Sequence, residues 1–279
     1  LRILKMPKEV VARIKGLKMI MRWGAGFDSV DIEEAGKHGI YVCNTPGANA
    51  YAVAELTVAL MLAVGRKLIC HDRAIHQGEW SKNTFLNLTR TLNNKVVGII
   101  GGGNIGRQVA ARVQAFGSIV QYYDPFRLPE EMEEKLHMKY VGLEELIRTS
   151  DVITLHVPLM DSTRHMIGEK EIEKMKNGAI LINVARGGLM DDEAVVKAVN
   201  SGKLSGAGID CVEEEPAKPG NPILENPNII VTPHVGGGSA DISDVMFPMI
   251  TGNIELLAIG KELKYVVNKQ YLEGNNKKL

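Results

Sequence analysis

Short apolar runs alternate with amphipathic stretches through the middle of the chain. The runs are Val96–Ile100, Ile119–Tyr123, Val152–Val157, Ala179–Val184, Gly206–Val212 and Ile229–Thr232. Between them lie helix-like patterns at Gly106–Phe116, Gly142–Thr149, Glu169–Met175 and Asp192–Ser201. Fully apolar strands separated by amphipathic helices predict an α/β fold, a parallel sheet covered on both faces. Lys139–Val141 adds one more short strand.

The flanks read differently. Leu17–Met21 predicts a short strand running into Trp23-Gly24-Ala25-Gly26, Asp31–His38 a helix, and Ile40–Cys43 a second strand ending at Asn44-Thr45-Pro46-Gly47. Ala50–Val64 is a long apolar helix with Glu55 in its middle, and Ser81–Asn94 is a polar loop. From about Ser239 a further helix is expected, followed by a strand at Tyr265–Val267. No stretch repeats and none is of low complexity.

Composition narrows the function. With 279 residues and 45% apolar content, the chain can form one large core or two modest ones. Lys plus Arg and Asp plus Glu both number 33, so no net field steers it onto nucleic acid or an anionic membrane. Cys43, Cys70 and Cys211 are few and widely spaced, which points to a reducing, cytoplasmic setting rather than a disulfide framework. The seven histidines show no metal-ligand spacing, so no metal is expected. No secretory signal and no apolar run long enough to span a bilayer is present.

The strongest local motif is Gly101-Gly102-Gly103-Asn104-Ile105-Gly106. On its own it reads equally as a glycine-rich turn. Here it follows the strand Val96–Ile100 and opens a helix, where a dinucleotide pyrophosphate can rest on backbone N–H groups. Gly101 suits the tight turn, Gly103 the approach of phosphate, and Gly106 close packing of helix on sheet. Asp124 ends the next strand about 20 residues on, where a carboxylate receives ribose hydroxyls and repels a 2′-phosphate. NAD rather than NADP is the cofactor this predicts.

Three further residues follow consecutive strands. Arg186 comes after Ala179–Val184, Glu215 after Gly206–Val212, and His234 after Ile229–Thr232. Ligands of open parallel sheets bind at the carboxyl ends of the strands, so all three belong to one edge. Singly, each has an ordinary reading as a surface cation, a solvated acidic run or a structural histidine. Together they suit hydride chemistry on a carbonyl: a cation to hold and polarise the substrate, an imidazole to move the proton, and a carboxylate to orient the imidazole.

With these motifs the chain resembles the D-isomer-specific 2-hydroxyacid dehydrogenases. That group contains D-3-phosphoglycerate dehydrogenase, glyoxylate/hydroxypyruvate reductase and D-lactate dehydrogenase. The likeness runs from about Leu17 to Asn268 and includes Gly24-Ala25-Gly26-Phe27-Asp28, His156-Val157-Pro158-Leu159, Asn183-Val184-Ala185-Arg186-Gly187-Gly188, Gly208-Ile209-Asp210 and Thr232-Pro233-His234-Val235-Gly236. It implies a doubly wound Rossmann domain at residues 48–236. It also implies a discontinuous, flavodoxin-like substrate domain at 1–47 and 237–279. Arg186, Glu215 and His234 take the catalytic roles. Gly101, Gly103, Asn104, Ile105, Gly106, Asp124, Val157, Ala185, Asp210 and Gly236 line the NAD site. Trp23, Gly24, Ala25 and Gly26, with Arg186, receive the substrate carboxylate. Gly102 and Trp23 depart from the family's usual residues, the first smaller and the second bulkier.

The family also implies a homodimer formed through the dinucleotide domain. A first strand and roughly 50 residues would precede Leu1, and the end soon after Asn268 would leave no room for an appended regulatory domain. Phosphite-type dehydrogenases and NAD(H)-sensing corepressors share this fold and the same three residues, so both stand as alternatives to a metabolic enzyme acting on a small D-2-hydroxy or 2-oxo acid.

Overall fold

The computed structural model describes residues 4–80 and 82–272. The chain forms two compact units, Leu1–Ala50 with Gly237–Leu279 and Tyr51–Gly236. Of the expected segments, Leu1, Ser81 and the stretch beyond Leu272 lie outside the described residues. No helix among the described residues is long and apolar enough to cross a membrane.

The first unit has a two-stranded parallel sheet of β1 (Met19–Met21) and β2 (Tyr41–Cys43), joined by the helix Ile32–Lys37. Asp31 caps that helix by accepting from the Glu34 N–H at 2.8 Å. Val11, Ile20, Val30, Ala35, Ile40 and Val42 pack together as its core. Asn268, fully buried, accepts from the Val42 N–H and donates to the Ile40 and Ile32 carbonyls, which pins the late chain to this unit. The strand expected at Tyr265–Val267 is reduced to a single antiparallel bridge between Val266 and Cys43.

The second unit carries a seven-stranded, all-parallel sheet. Its strands are β3 (Val96–Ile100), β4 (Ile119–Tyr123), β5 (Lys139–Tyr140), β6 (Val152–Leu155), β7 (Ala179–Asn183), β8 (Leu204–Ile209) and β9 (Ile229–Val231). Their order is β5-β4-β3-β6-β7-β8-β9, so the winding reverses between β3 and β6. That is the doubly wound pattern, with its switch point beside the glycine loop after β3.

Side chains on a strand alternate between faces, and here both faces are buried. Ile180 and Ile182 pack with the helices Ala50–Gly65 and Asn104–Ala115, whereas Ala179 and Leu181 pack with the helices Leu143–Thr149, Glu169–Lys174 and Asp192–Asn200. The polar stretch before β3 contains one short 3-10 turn, Leu86–Leu88. It follows a helix, Leu68–His76, that the sequence pattern did not single out. That helix has no buried residue, so it packs no apolar stripe into a core.

Leu181 is fully buried and Ile119 is 59% exposed. Leu181→Ala is therefore expected to lower unfolding stability by about 2–5 kcal/mol in denaturant titration, while Ile119→Thr stays within about 0.5 kcal/mol.

Candidate active site

The glycine loop is shaped by contacts that only glycine permits. Gly101 has φ +109°, and a Cβ there would lie 2.6 Å from the His156 carbonyl oxygen at the end of β6. A Cβ on Gly106 would lie 2.1 Å from the Gly101 carbonyl oxygen. Gly103 is different: a Cβ there would meet nothing within 4 Å. Packing inside the protein does not demand glycine at 103; a side chain would obstruct only what approaches the helix from outside. Gly103 is the N-cap of the helix Asn104–Ala115, and no side chain caps that end. An open helix N-terminus with a bare backbone suits a phosphate. Gly102 is small because the ring of Tyr122, fully buried, lies 3.1 Å from where its Cβ would be.

Asp124 sits where β4 ends. Its Oδ2 accepts from the Gly102 N–H at 2.8 Å and its Oδ1 from the Phe126 N–H at 2.9 Å. The carboxylate is thereby tied to the glycine loop, beside the helix end. Asn104 accepts from the Arg107 guanidinium at 2.7 Å, and Ile105 packs into the core beneath the helix. Val157 stands just past β6, its Cγ1 3.1 Å from the Cβ position of Gly101. These residues supply a glycine cradle, an uncapped helix end and a carboxylate tied to that loop, a set that fits NAD.

Further along the same edge, β7 leads into a turn organised by Asn183. Its Oδ1 accepts from the Ala185 N–H and its Nδ2 donates to the Arg186 carbonyl. Arg186 Nη1 donates to the Ala185 carbonyl at 2.7 Å. After the next strand, β8, comes Asp210, 2% exposed. Its Oδ1 accepts from Thr232 Oγ1 at 2.6 Å and the Val235 N–H at 2.8 Å, and its Oδ2 from the Gly236 N–H at 2.8 Å. The His234 N–H donates to the Asp210 carbonyl, and His234 itself is left-handed at φ +53°.

The structure brings the expected trio together. His234 Nδ1 lies 2.8 Å from Glu215 Oε2, both side chains part-open to solvent. The hydrogen bond from Glu215 holds the imidazole above its ordinary range. Partial burial and the positive charge of Arg186 pull it down, while the charges of Glu215 and Asp210 push it up. Arg186 is thus close enough to act on His234 electrostatically. The arrangement can anchor an anion, polarise a carbonyl and hold a proton near neutral pH.

Trp23–Gly26 belong to the first unit. The Gly24 N–H donates to Thr45 Oγ1 and the Gly24 carbonyl accepts from Thr45, while Ala25 and Gly26 carbonyls accept from Asn44 Nδ2 and Arg22 Nε. Trp23 stacks edge-on against Phe247 at 5.4 Å.

Three features escaped the sequence. Gly187 lies so close to the next loop that a Cβ would sit 1.8 Å from the Val212 carbonyl oxygen, which holds the Arg186 turn against the segment leading to Glu215. Cys211 lies beside Glu215 and His234, its Sγ 3.5 Å from the Ala185 carbonyl. Asp192, whose carboxyl burial pushes up to about 6, accepts from the Glu213 N–H. Only Gly187 had a local signal, as half of a glycine pair after a strand.

Comparison with known proteins follows the same lines. A family model described as the D-isomer specific 2-hydroxyacid dehydrogenase NAD binding domain matches residues 58–236. A glyoxylate reductase of Thermococcus litoralis is 40% identical, over 97% of this chain and 83% of that protein. A D-3-phosphoglycerate dehydrogenase of Archaeoglobus fulgidus is 38% identical over 98% of this chain, which spans 51% of that longer protein. The crystal structure of a glyoxylate reductase from Paecilomyes thermophila superposes with a TM-score of 0.87 at 37% identity, covering 95% of this chain and 80% of that one.

The two loop glycines separate packing from binding. Gly106→Ala is expected to lower stability by roughly 1–3 kcal/mol or more in thermal unfolding. Gly103→Ala is expected to change stability by less than about 1 kcal/mol and yet weaken NADH binding, read by fluorescence titration.

Proposed function

From its membership of the D-isomer specific 2-hydroxyacid dehydrogenase family, we propose how this chain works as an NAD-dependent oxidoreductase of small 2-hydroxy and 2-oxo acids. The observation that carries the assignment of roles is the His234–Glu215 pair at 2.8 Å, within reach of the Arg186 charge. NAD, when bound, supplies or accepts the hydride. Gly101, Gly103, Asn104, Ile105 and Gly106 hold its pyrophosphate, Asp124 its adenosine ribose, and Val157, Ala185, Asp210 and Gly236 line the remainder.

In the reductive direction Arg186 fixes the substrate and stabilises negative charge growing on the carbonyl oxygen. The Gly24 N–H, expected from the family resemblance to receive the substrate carboxylate, is instead taken by Thr45 Oγ1 at 2.8 Å. His234, charged through Glu215, delivers the proton to that oxygen; in the oxidative direction it takes the proton back. The likeness to glyoxylate reductases makes glyoxylate the first substrate to try. The protein acts in the cytoplasm as a homodimer. Support comes from cysteines that form no disulfide and from Trp80, Leu86 and Leu88, apolar side chains left exposed on the second unit.

The test is NADH oxidation against glyoxylate, hydroxypyruvate, pyruvate, 3-phosphohydroxypyruvate and bulkier 2-oxo acids. Turnover of at least one is expected; NADH binding without any turnover would favour a phosphite-type or sensor role. His234→Ala should lower kcat by about 10²–10⁴-fold with little change in NADH affinity. Because Glu215 raises the pKa of His234, reduction should fall as pH rises through that raised value. Glu215→Gln should move the fall to lower pH, and an unmoved profile removes Glu215 from the mechanism. Asp124→Ser should improve kcat/KM with NADPH relative to NADH by about tenfold or more.

A further inference from the structure

Cys211 directly follows the buried Asp210, four residues before Glu215, and it is itself fully buried. His234 and Glu215 face outward, 44% and 39% exposed in their side chains. One thiol sulfur, one carboxylate oxygen and one ring nitrogen from Cys211, Glu215 and His234 all lie within 4.8 Å of one another. Zinc bonds of about 2.0–2.3 Å place tetrahedral donors roughly 3.3–3.8 Å apart, so shifts of about 1 Å bring the donors to coordination distance, the longer separations closing and the 2.8 Å hydrogen bond between His234 and Glu215 giving way. A thiol, an imidazole and a carboxylate are also the donor types that zinc favours over magnesium or calcium.

We propose that Cys211, Glu215 and His234 form an inhibitory site for a soft divalent cation, Zn2+, entered from the open side of the His234–Glu215 pair. Three protein donors leave the fourth position to water. On binding, the Cys211 thiol and the His234 imidazolium each release a proton to solvent, and the ring lone pair so freed is committed to the metal. The imidazole then neither gives nor takes a substrate proton, so turnover stops. This consequence rests on the role given to His234 above; the binding itself does not. The Arg186 cation opposes an incoming metal, but thiolate and carboxylate together bring two negative charges against its one. Sequence spacing conceals the site because its donors come from loops after two different strands.

The experiment uses the chelator-treated full chain in a Cys70→Ser background, which removes the half-exposed thiol. Cd2+ is titrated while thiolate-to-metal charge-transfer absorption is recorded, and Zn2+ is titrated into the NADH-dependent reductase assay. One equivalent of Cd2+ is expected to produce the band, and Zn2+ to inhibit in a way that a chelator reverses. Cys211→Ala and Cys211→Ser should retain basal turnover, lose the band and require at least about tenfold more Zn2+. A band and inhibition unchanged in both variants, or no Cd2+ uptake by the parent, would overturn the site. A parent that takes up Cd2+ through Cys211 but turns over no 2-oxo acid keeps the site and removes the reductase reading; an active parent without uptake does the reverse.

Discussion

A carboxylate buried at the end of a strand must find donors, and the Asp210 side chain finds them in the segment after β9. Burying a charge without partners costs several kcal/mol, so its three hydrogen bonds from Thr232, Val235 and Gly236 are close to obligatory. Meeting them wraps residues 232–236 around the carboxylate. The strap is tight enough that a Cβ on Gly236 would lie 2.9 Å from Asp210 Oδ2. It also holds His234 left-handed, a conformation that costs a non-glycine residue roughly 1–2 kcal/mol. The imidazole is presented to Glu215 because the backbone around it has no other way to satisfy Asp210.

The same logic governs the neighbouring loop. Parallel pairing sets Asn183 opposite Ile209, so the turns after β7 and β8 leave the sheet side by side. Asn183 closes the first turn on itself, and Gly187 lets it approach the Val212 carbonyl more closely than any side chain would allow. Arg186 and Glu215 therefore inherit their spacing from strand register and backbone contact, not from flexible side-chain search. Preorganisation of that kind is what charge stabilisation in a reaction requires, since groups already in place need not reorganise as charge develops.

What could be read in the sequence follows from the same distinction. The central strands, the glycine loop and the order of Arg186, Glu215 and His234 are signalled locally, by apolar runs and by the residues just past them. Doubly wound topology then places those residues on one edge without further information. Cys211 could not be placed, because its neighbours are supplied by β9 and by the loop carrying Glu215. Gly187 was visible as a glycine but not as a contact, since its partner Val212 belongs to another strand's end. Tyr265–Val267 looks like a strand by composition, yet one bridge to Cys43 is all it forms. The Trp23–Gly26 loop was singled out by family resemblance alone; its own residues say only that it turns.

Arg186 and Glu215 act on His234 with opposite signs, and the proposed mechanism uses both. A guanidinium close enough to polarise a carbonyl is close enough to disfavour an imidazolium beside it. Partial burial disfavours the imidazolium more strongly still. Glu215 offsets both by accepting a hydrogen bond directly from Nδ1 at 2.8 Å, the largest single influence on the imidazole. The imidazole is left above its ordinary range yet still able to titrate, which is what a group that both donates and accepts a proton requires. Losing Arg186 would favour the imidazolium and losing Glu215 would disfavour it. With respect to His234, Arg186 and Glu215 form one electrostatic unit rather than two independent side chains.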